Sequence, residues 1–207
     1  MTDPGVSSQR TLIANVTMSI DGRAAGQDGD MSWLFEHAVH EQMAAHFAAL
    51  WGGASTALMG RTNYENFRGY WPAVARDPDA SQRDRDFAQW LDGVEKVVIS
   101  RTLREASWEN TRIAQDLEAE VRELKAAAGR DILVLSSLSL IQALLSAELV
   151  DELRIYLCPE LLGAGQRLFE DGLPRSSWQL AGSTTTATGA IVLQYSVDRS
   201  GRLRRVS

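Results

Sequence analysis

One cysteine, Cys158, stands in a chain of 207 residues. A single thiol excludes an intrachain disulfide and a thiolate cluster around zinc, and it fits a reducing compartment. Histidine is almost as scarce, with three residues, all between 37 and 46. His37 and His40 can share a helical face, but His46 falls about 180° from His37 at roughly 100° per residue. A three-histidine metal site on one helix is therefore disfavoured, and surface histidines are the simpler reading.

Positive charge is also in short supply. Lys and Arg number 21 against 27 Asp and Glu, for a formal charge of −6 and a pI near 5.1. Sequence-independent nucleic-acid binding needs a dense cationic surface, which this balance excludes. Arg199, Arg202, Arg204 and Arg205 form a small basic tail that reads as a solvated terminus. Long apolar runs are missing as well. The uncharged, apolar-rich stretch 132–147 is interrupted by Ser and Gln and falls short of the roughly 20 residues that a membrane span needs. The opening "MTDPGVSSQR" lacks the apolar centre of a signal peptide. The expectation is a cytoplasmic protein with neither a membrane nor a nucleic-acid partner. No G-x-S-x-G elbow, Walker loop or zinc-deaminase signature occurs.

What is present is the composition of a folded domain, 44% hydrophobic and 23% charged, and no linker divides it. "TLIANVTM" reads as a first strand that ends at the turn "SIDG". A glycine-rich loop covers 19–33, of a length that is usually functional or mobile. Val39, Met43, Phe47 and Leu50 recur at helical spacing in "EHAVHEQMAAHFAALW". "ASTALMG" is a short strand, and "RTNYENFRGYW" begins a helix that Gly69 and Pro72 should stop. A polar insertion over 73–83 and a helix near 83–92 lead to "EKVVISRTL", a strand of near-continuous apolar character. "SWENTRIA" is another short strand, "DLEAEVRELKAAAG" a helix and "DILVLSS" a buried strand. In "LSLIQALLSAELV", Ser139 and Gln142 have the form of a capping box, placing a helix start near Leu140. "DELRIYLCP", "SSWQLAGSTTT" and "AIVLQYSV" read as strands, the last two as a hairpin about Gly189. Strands alternating with helices and closed by consecutive strands indicate a mainly parallel α/β sheet with antiparallel pairing at its end.

Three junctions at strand ends carry small, hydroxylic or cationic residues: Gly60-Arg61-Thr62, Ser100-Arg101-Thr102 and Ser136-Ser137. In a parallel sheet such junctions gather at the carboxyl edge, where helix amino ends point their N–H groups outward. An Arg at a helix start is electrostatically unfavourable unless an anion is near, so three such junctions suit a dinucleotide.

The ordered set "TMSIDGRAAG", "GDMSWL", "LMGRTNYENFRGYWP", "KVVISRTL", "DILVLSS" and "LVDELRIYLCPELLGAGQRLF" resembles the dihydrofolate reductase-like superfamily. Within it, the chain is most similar to the reductase domain of the bifunctional riboflavin-biosynthesis deaminase-reductase; the deaminase half has no counterpart here. The resemblance covers about residues 10–197 and implies one domain over 1–207, with a central mixed, mostly parallel sheet of about eight strands, flanking helices and an antiparallel C-terminal hairpin. It implies an oxidoreductase that uses NADPH, a homodimer, and hydride transfer to a C=O or C=N carbon of a pterin- or ribosylaminopyrimidine-like substrate. The rival readings are a dimeric ligand-binding protein that keeps the fold without catalysis, and a reductase served by another nicotinamide or a flavin.

By the same resemblance Gly60, Arg61 and Thr62 meet the cofactor phosphates, and Ser100, Arg101 and Thr102 grip the adenosine end. Arg101 either neutralises a 2′-phosphate or pairs with a surface acid. Ser136, Ser137 and Leu138 form the turn against the pyrophosphate. Most relatives have glycine at the place of Ser136, whose Cβ can crowd the cofactor or whose hydroxyl can donate to it. Ser19, Asp21 and Gly22 match the Ser-x-Asp-Gly turn that opens the family's active-site loop, with Ser19 at the substrate; Asp21 either orients substrate, supplies a proton or simply forms the turn. Trp33, Tyr64 and Trp71 either wall a substrate ring or pack in the core. Asn15 stands where the riboflavin reductases usually carry Lys, which removes a charged substrate contact. No metal is implied.

Overall fold

In the computed structural model the described residues are 9–198, and the first eight residues and the basic tail at 199–205 lie outside them. The strands are β1 (Leu12–Ser19), β2 (Arg23–Ala25), β3 (Ala54–Gly60), β4 (Glu95–Ile99), β5 (Thr111–Ala114), β6 (Asp131–Leu135), β7 (Glu152–Cys158), β8 (Gln166–Arg167), β9 (Trp178–Thr185) and β10 (Ile191–Val197). The helices are α1 (Phe35–Ala38), α2 (Glu41–Gly53), α3 (Arg61–Val74), α4 (Gln82–Gly93), α5 (Leu117–Ala126) and α6 (Leu138–Ser146). Eight strands form one sheet in the order β5-β4-β3-β6-β1-β7-β10-β9. The first six are parallel, and β10 runs antiparallel to both β7 and β9. This is the dihydrofolate reductase-like arrangement, with the hairpin at its carboxyl end.

The period-two alternation of β1 divides the core. Leu12, Ala14, Val16 and Met18 pack with Val121 and Leu124 of α5 and Ile141 and Leu144 of α6. Ile13 points the other way, into a second cluster that holds Leu50, Tyr64 and Leu91 of α2, α3 and α4. All eight residues of β1 are buried, polar Asn15 and Thr17 among them.

Several local expectations fail. The helix expected through Val39 and Met43 is broken at His40, whose ψ of 135 is extended and whose Nδ1 accepts from Gln42 N at 3.4 Å. Val39 is consequently 58% exposed, while His37 is buried against Glu160 rather than lying on the surface. α3 does not stop at Gly69 or Pro72. A mid-helix proline costs about 3 kcal/mol, but Tyr64, Phe67, Trp71 and Val74 share one face, and Trp71 and Phe67 pack edge-on to Phe87 at 4.7 and 6.4 Å. That packing holds the last turn in register. The capping box at Ser139 and Gln142 is absent as well. α6 starts at Leu138, and Gln142 Nε2 instead donates to the carbonyls of Arg167 and Leu168 at 3.2 and 3.1 Å. Finally, the loop at 19–33 contains β2, which pairs antiparallel with β8 in a small second sheet.

Candidate active site

The carboxyl ends of β3 and β6 lie side by side, and each feeds a helix. Gly60 N donates to Ser137 Oγ at 3.2 Å, tying the two helix starts together. A Cβ on Gly60 would stand 2.9 Å from that oxygen, so this approach needs glycine. Ser137 is the residue before α6, yet its hydroxyl is engaged by Gly60 and makes no capping bond to its own helix. α3 likewise has no side-chain cap. The contrast with the other long helices is informative: His40, Ser81 and Asp116 cap α2, α4 and α5. Of the five helices longer than two turns, α3 and α6 are the two without a side-chain cap. Their first N–H groups keep the positive end of the dipole available to an anion.

A cleft of about 550 Å³ opens over these starts. Thr62, Asn63 and Asn66 of α3 and Ser136 to Ser139 with Gln142 line one side. Ala24, Ala25, Gln166 and Arg167 of the small β2–β8 sheet line the other, and Val16 and Thr17 of β1 also contribute. Asn63 Nδ2 donates to the Leu135 carbonyl and fixes the α3 start against β6.

The β2–β8 wall is anchored by Asp21. Its carboxylate accepts from Ser19 Oγ at 2.5 Å, Leu162 N at 3.2 Å and Gly163 N at 2.9 Å. The Ser19 hydroxyl first, then the two backbone N–H groups, hold the acid down at about 2. Arg23 extends the anchor, donating to the carbonyls of Gly165 at 2.8 Å and Gly163 at 3.3 Å. Asp21 is thus an ionised strut outside the cleft lining. The role the fold itself gives this carboxylate is acceptor to the Ser19 hydroxyl and to two backbone N–H groups. Ser19 serves the same strut.

Beside the main cleft lies an aromatic cavity of about 250 Å³. Phe47, Trp51, Phe67, Trp71 and Phe87 form its walls, and Asn15, Arg83 and Asp84 are among its polar members. Ser136 lines both cavities. Its φ of +43 is left-handed, a conformation that costs a non-glycine residue about 1 kcal/mol or more. The turn therefore has the geometry for which glycine is the easier residue.

A shallower cleft of about 520 Å³ holds Arg101 with Asp116, Leu117, Glu118, Ala143, Ser146 and Ala147. α6 runs between this cleft and the main one. Arg101 forms no hydrogen bond or ion pair among the described residues. The acids beside it are engaged elsewhere, Asp116 by Ala119 N at 3.0 Å and Glu118 by Arg122 at 2.6 Å.

The expected site residues thus separate. Thr62, Ser136, Ser137 and Leu138 meet at the main cleft, with Gly60 directly behind them. Arg61 is half exposed and 3.9 Å from Glu65 one turn on, so its nearest anion is its own helix's carboxylate. Ser100 Oγ accepts from Thr102 N at 3.2 Å and Leu103 N at 2.9 Å, which closes its own turn. The three aromatics do not form one wall. Trp71 lines the aromatic cavity, Trp33 packs with Met43 and Tyr156, and Tyr64 is buried with its hydroxyl accepting from Trp108 N at 3.2 Å. Sequence reasoning missed Asn63, Gln142, Phe47, Phe67, Phe87 and Asp84. The apolar spacing that marked their helices carried no sign of which face opens on a cavity.

The family model described as the RibD C-terminal domain matches residues 10–192. The uncharacterized protein YyaP of Bacillus subtilis (strain 168) is 28% identical over 187 residues, covering 90% of this chain and 95% of its own. A putative riboflavin biosynthesis protein from Shewanella sp. PV-4 superposes with a TM-score of 0.69 at 21% identity, over 91% of this chain and 99% of that one. Dihydrofolate reductase from Enterococcus faecalis, solved with NADP(H), superposes with a TM-score of 0.61 at 14% identity, over 92% and 98%.

Proposed function

This chain belongs to the RibD C-terminal domain family, and on that premise we propose that it is an NADPH-dependent reductase acting on a C=O or C=N carbon of a small heterocycle, pterin- or ribosylaminopyrimidine-like, as a cytoplasmic homodimer. The observation that carries this reading is the junction at Ser136, where a cleft under two uncapped helix starts adjoins an aromatic cavity. When bound, the dihydronicotinamide supplies the hydride; the protein's part is binding, orientation and exclusion of water.

The residues present fit such a cofactor. The amino ends of α3 and α6, with Thr62, Ser137 and Leu138, would hold its diphosphate through backbone N–H groups and hydroxyls. Gly60 permits the close approach of the two helices that this requires. Arg101 would meet a 2′-phosphate, its guanidinium having no hydrogen-bond or ion-pair partner among the described residues. Asn15 and Trp71 would face the substrate from the aromatic cavity.

Calorimetric titration with NADPH and NADH, on the wild type and on Arg101→Ala, tests the reading. The expected result is tighter binding of NADPH than NADH in the wild type and a loss confined to NADPH in the variant. Binding of neither dinucleotide would overturn it, and equal loss of both would overturn the role of Arg101.

A further inference from the structure

Val39, Met43, Phe47 and Leu50 carry the spacing of one continuous helical face, yet the helix is cut at His40 into α1 and α2. His40 keeps a helical φ of −64, and only its ψ of 135 departs from the helix. A continuous helix would join the Ala38 carbonyl to the Gln42 N–H, four residues on. Both groups are engaged elsewhere: Arg83 Nη1 donates to the Ala38 carbonyl at 2.9 Å, and Gln42 N donates to His40 Nδ1 at 3.4 Å.

The break carries a cost. Phe35 and Val39 stay mostly exposed, although Val39 stands one turn before buried Met43 in the straight-helix register. His37 is buried with its Nδ1 unpartnered and its Nε2 3.0 Å from Glu160 Oε1, and a buried ring nitrogen without a partner is destabilising. Two tethers offset these losses, His37 to Glu160 and Arg83 to Ala38. Among the described residues no other hydrogen bond joins α1 to a segment outside 26–40. The backbone hydrogen bonds of 27–34 likewise stay within 26–35, so the chain leading into α1 is free to follow it.

We propose that α1 is a two-position door on the aromatic cavity, hinged at His40. In the broken position Ala38 and Arg83 both lie on the lining, and their hydrogen bond closes the side between α1 and α4. Rotation about a single bond, the ψ of His40, joins α1 to α2. The Ala38 carbonyl then passes from Arg83 to Gln42 N–H, Val39 comes onto the face of Met43, and His37 leaves its buried place for water. Ala38 lifts off the lining and the cavity opens. Each position satisfies groups that the other leaves unpaired or exposed, which is the balance a bistable element needs. The door is a property of the free chain and does not rest on the reductase reading.

His40 lines neither the main cleft nor the aromatic cavity, so it is the place to bias the door. His40→Asp supplies a stronger N-cap and holds the break, whereas His40→Ala removes the cap and favours the straight helix. The readout is amide hydrogen exchange of the full chain, relative to intrinsic rates, at Glu41, Gln42 and Met43, whose N–H groups find an acceptor four residues back only when the helix is straight. His40→Ala should raise protection at these three amides about tenfold or more. Arg83→Met, which releases the Ala38 carbonyl, should act in the same direction and serves if the first variant fails to fold. His40→Asp, whose carboxylate reaches only Gln42 and Met43, should leave Glu41 as in the wild type. Acrylamide quenching of tryptophan fluorescence reads the cavity, since Trp51 and Trp71 line it, and it should increase in His40→Ala and Arg83→Met but not in His40→Asp. A general loss of stability lowers protection and does not imitate a local rise. Unchanged protection at Glu41 in both opening variants, or a rise there without greater quenching, would overturn the proposal. No ligand enters the experiment, so its outcome stands whether or not either dinucleotide binds.

Discussion

Gly165→Ala is the sharpest probe of how the cleft is walled. At φ +118 the residue lies where L side chains rarely go, a penalty of about 1–3 kcal/mol. A Cβ there would lie well inside contact with the Ala25 carbonyl oxygen and 2.6 Å from the carbonyl carbon and oxygen of Gly26. These are backbone atoms, so relief comes only by parting β8 from β2. Parting them breaks the bond from Arg23 Nη1 to Gly165 O at 2.8 Å, a charge-assisted contact that contributes about 1.5–3 kcal/mol. The lower entropy of the unfolded chain returns about 0.4–1 kcal/mol. The net loss is about 3 kcal/mol, which at about 2–4 °C per kcal/mol for a chain of this length lowers Tm by roughly 6–12 °C. Gly163→Ala is the control. Its φ of +70 is also left-handed, but its Cβ would meet nothing within 4 Å, so the loss is about 1 kcal/mol. Differential scanning calorimetry of both variants, with NADPH titrations alongside, decides the matter. The Gly165 variant should also lose NADPH affinity because one wall of the cleft has moved. If it melts within about 2 °C of the wild type and binds NADPH unchanged, the wall does not depend on this close approach and the reasoning fails.

Two predictions concern pH. Lys96 is fully buried, its Nζ 2.6 Å from the Leu91 carbonyl and 2.9 Å from that of Val94, over the Trp108 ring at 4.8 Å. Burial pulls its pKa from 10.5 to about 8. The folded state therefore binds fewer protons than the unfolded state between those values, and stability should rise with pH across that window, by about 3 kcal/mol at most. The rise should be present in the wild type and missing in Lys96→Met thermal scans from pH 8 to 10, and identical slopes in the two proteins would refute it. Asp21, held at about 2 against an ordinary 3.8, contributes stability above pH 3.8 that is lost as pH falls through about 2. Protection of the Leu162 and Gly163 amides, measured relative to intrinsic exchange at each pH, should fall on that descent and should already be low at pH 5 in Asp21→Ala; amides that stay protected in the variant would show that the strut lies elsewhere.

Much of the architecture was legible because strands buried on both faces and the helices between them advertise themselves locally. The junctions at Gly60 and Ser136 were readable for the same reason, each a small residue at the point where an apolar run ends. What escaped was decided by partners remote in sequence. Pro72 is kept helical by Phe87, fifteen residues on, and Gln142 bonds to the backbone of β8 rather than capping its own helix. Asp21 was visible as a turn residue, but its partners are Leu162 and Gly163, and no local pattern announces a contact across 142 positions. The aromatic cavity was hidden more completely. Trp71, Phe67 and Phe87 look like ordinary core residues, and only the packing of α2, α3 and α4 against β1 and β6 leaves space between them.

The place of β1 in the sheet has a consequence for synthesis. Its two neighbours are β6 and β7, and β6 begins only at residue 131, more than a hundred residues after β1 has been made. At about 5–20 residues per second, a ribosome needs roughly 5–20 s to supply the first partner. For that interval "LIANVTMS", buried throughout the finished fold, has neither lateral neighbour, and exposed apolar segments of this kind are prone to aggregate. The nascent chain therefore carries its central strand as an unpaired adhesive segment until β6 and β7 have been made.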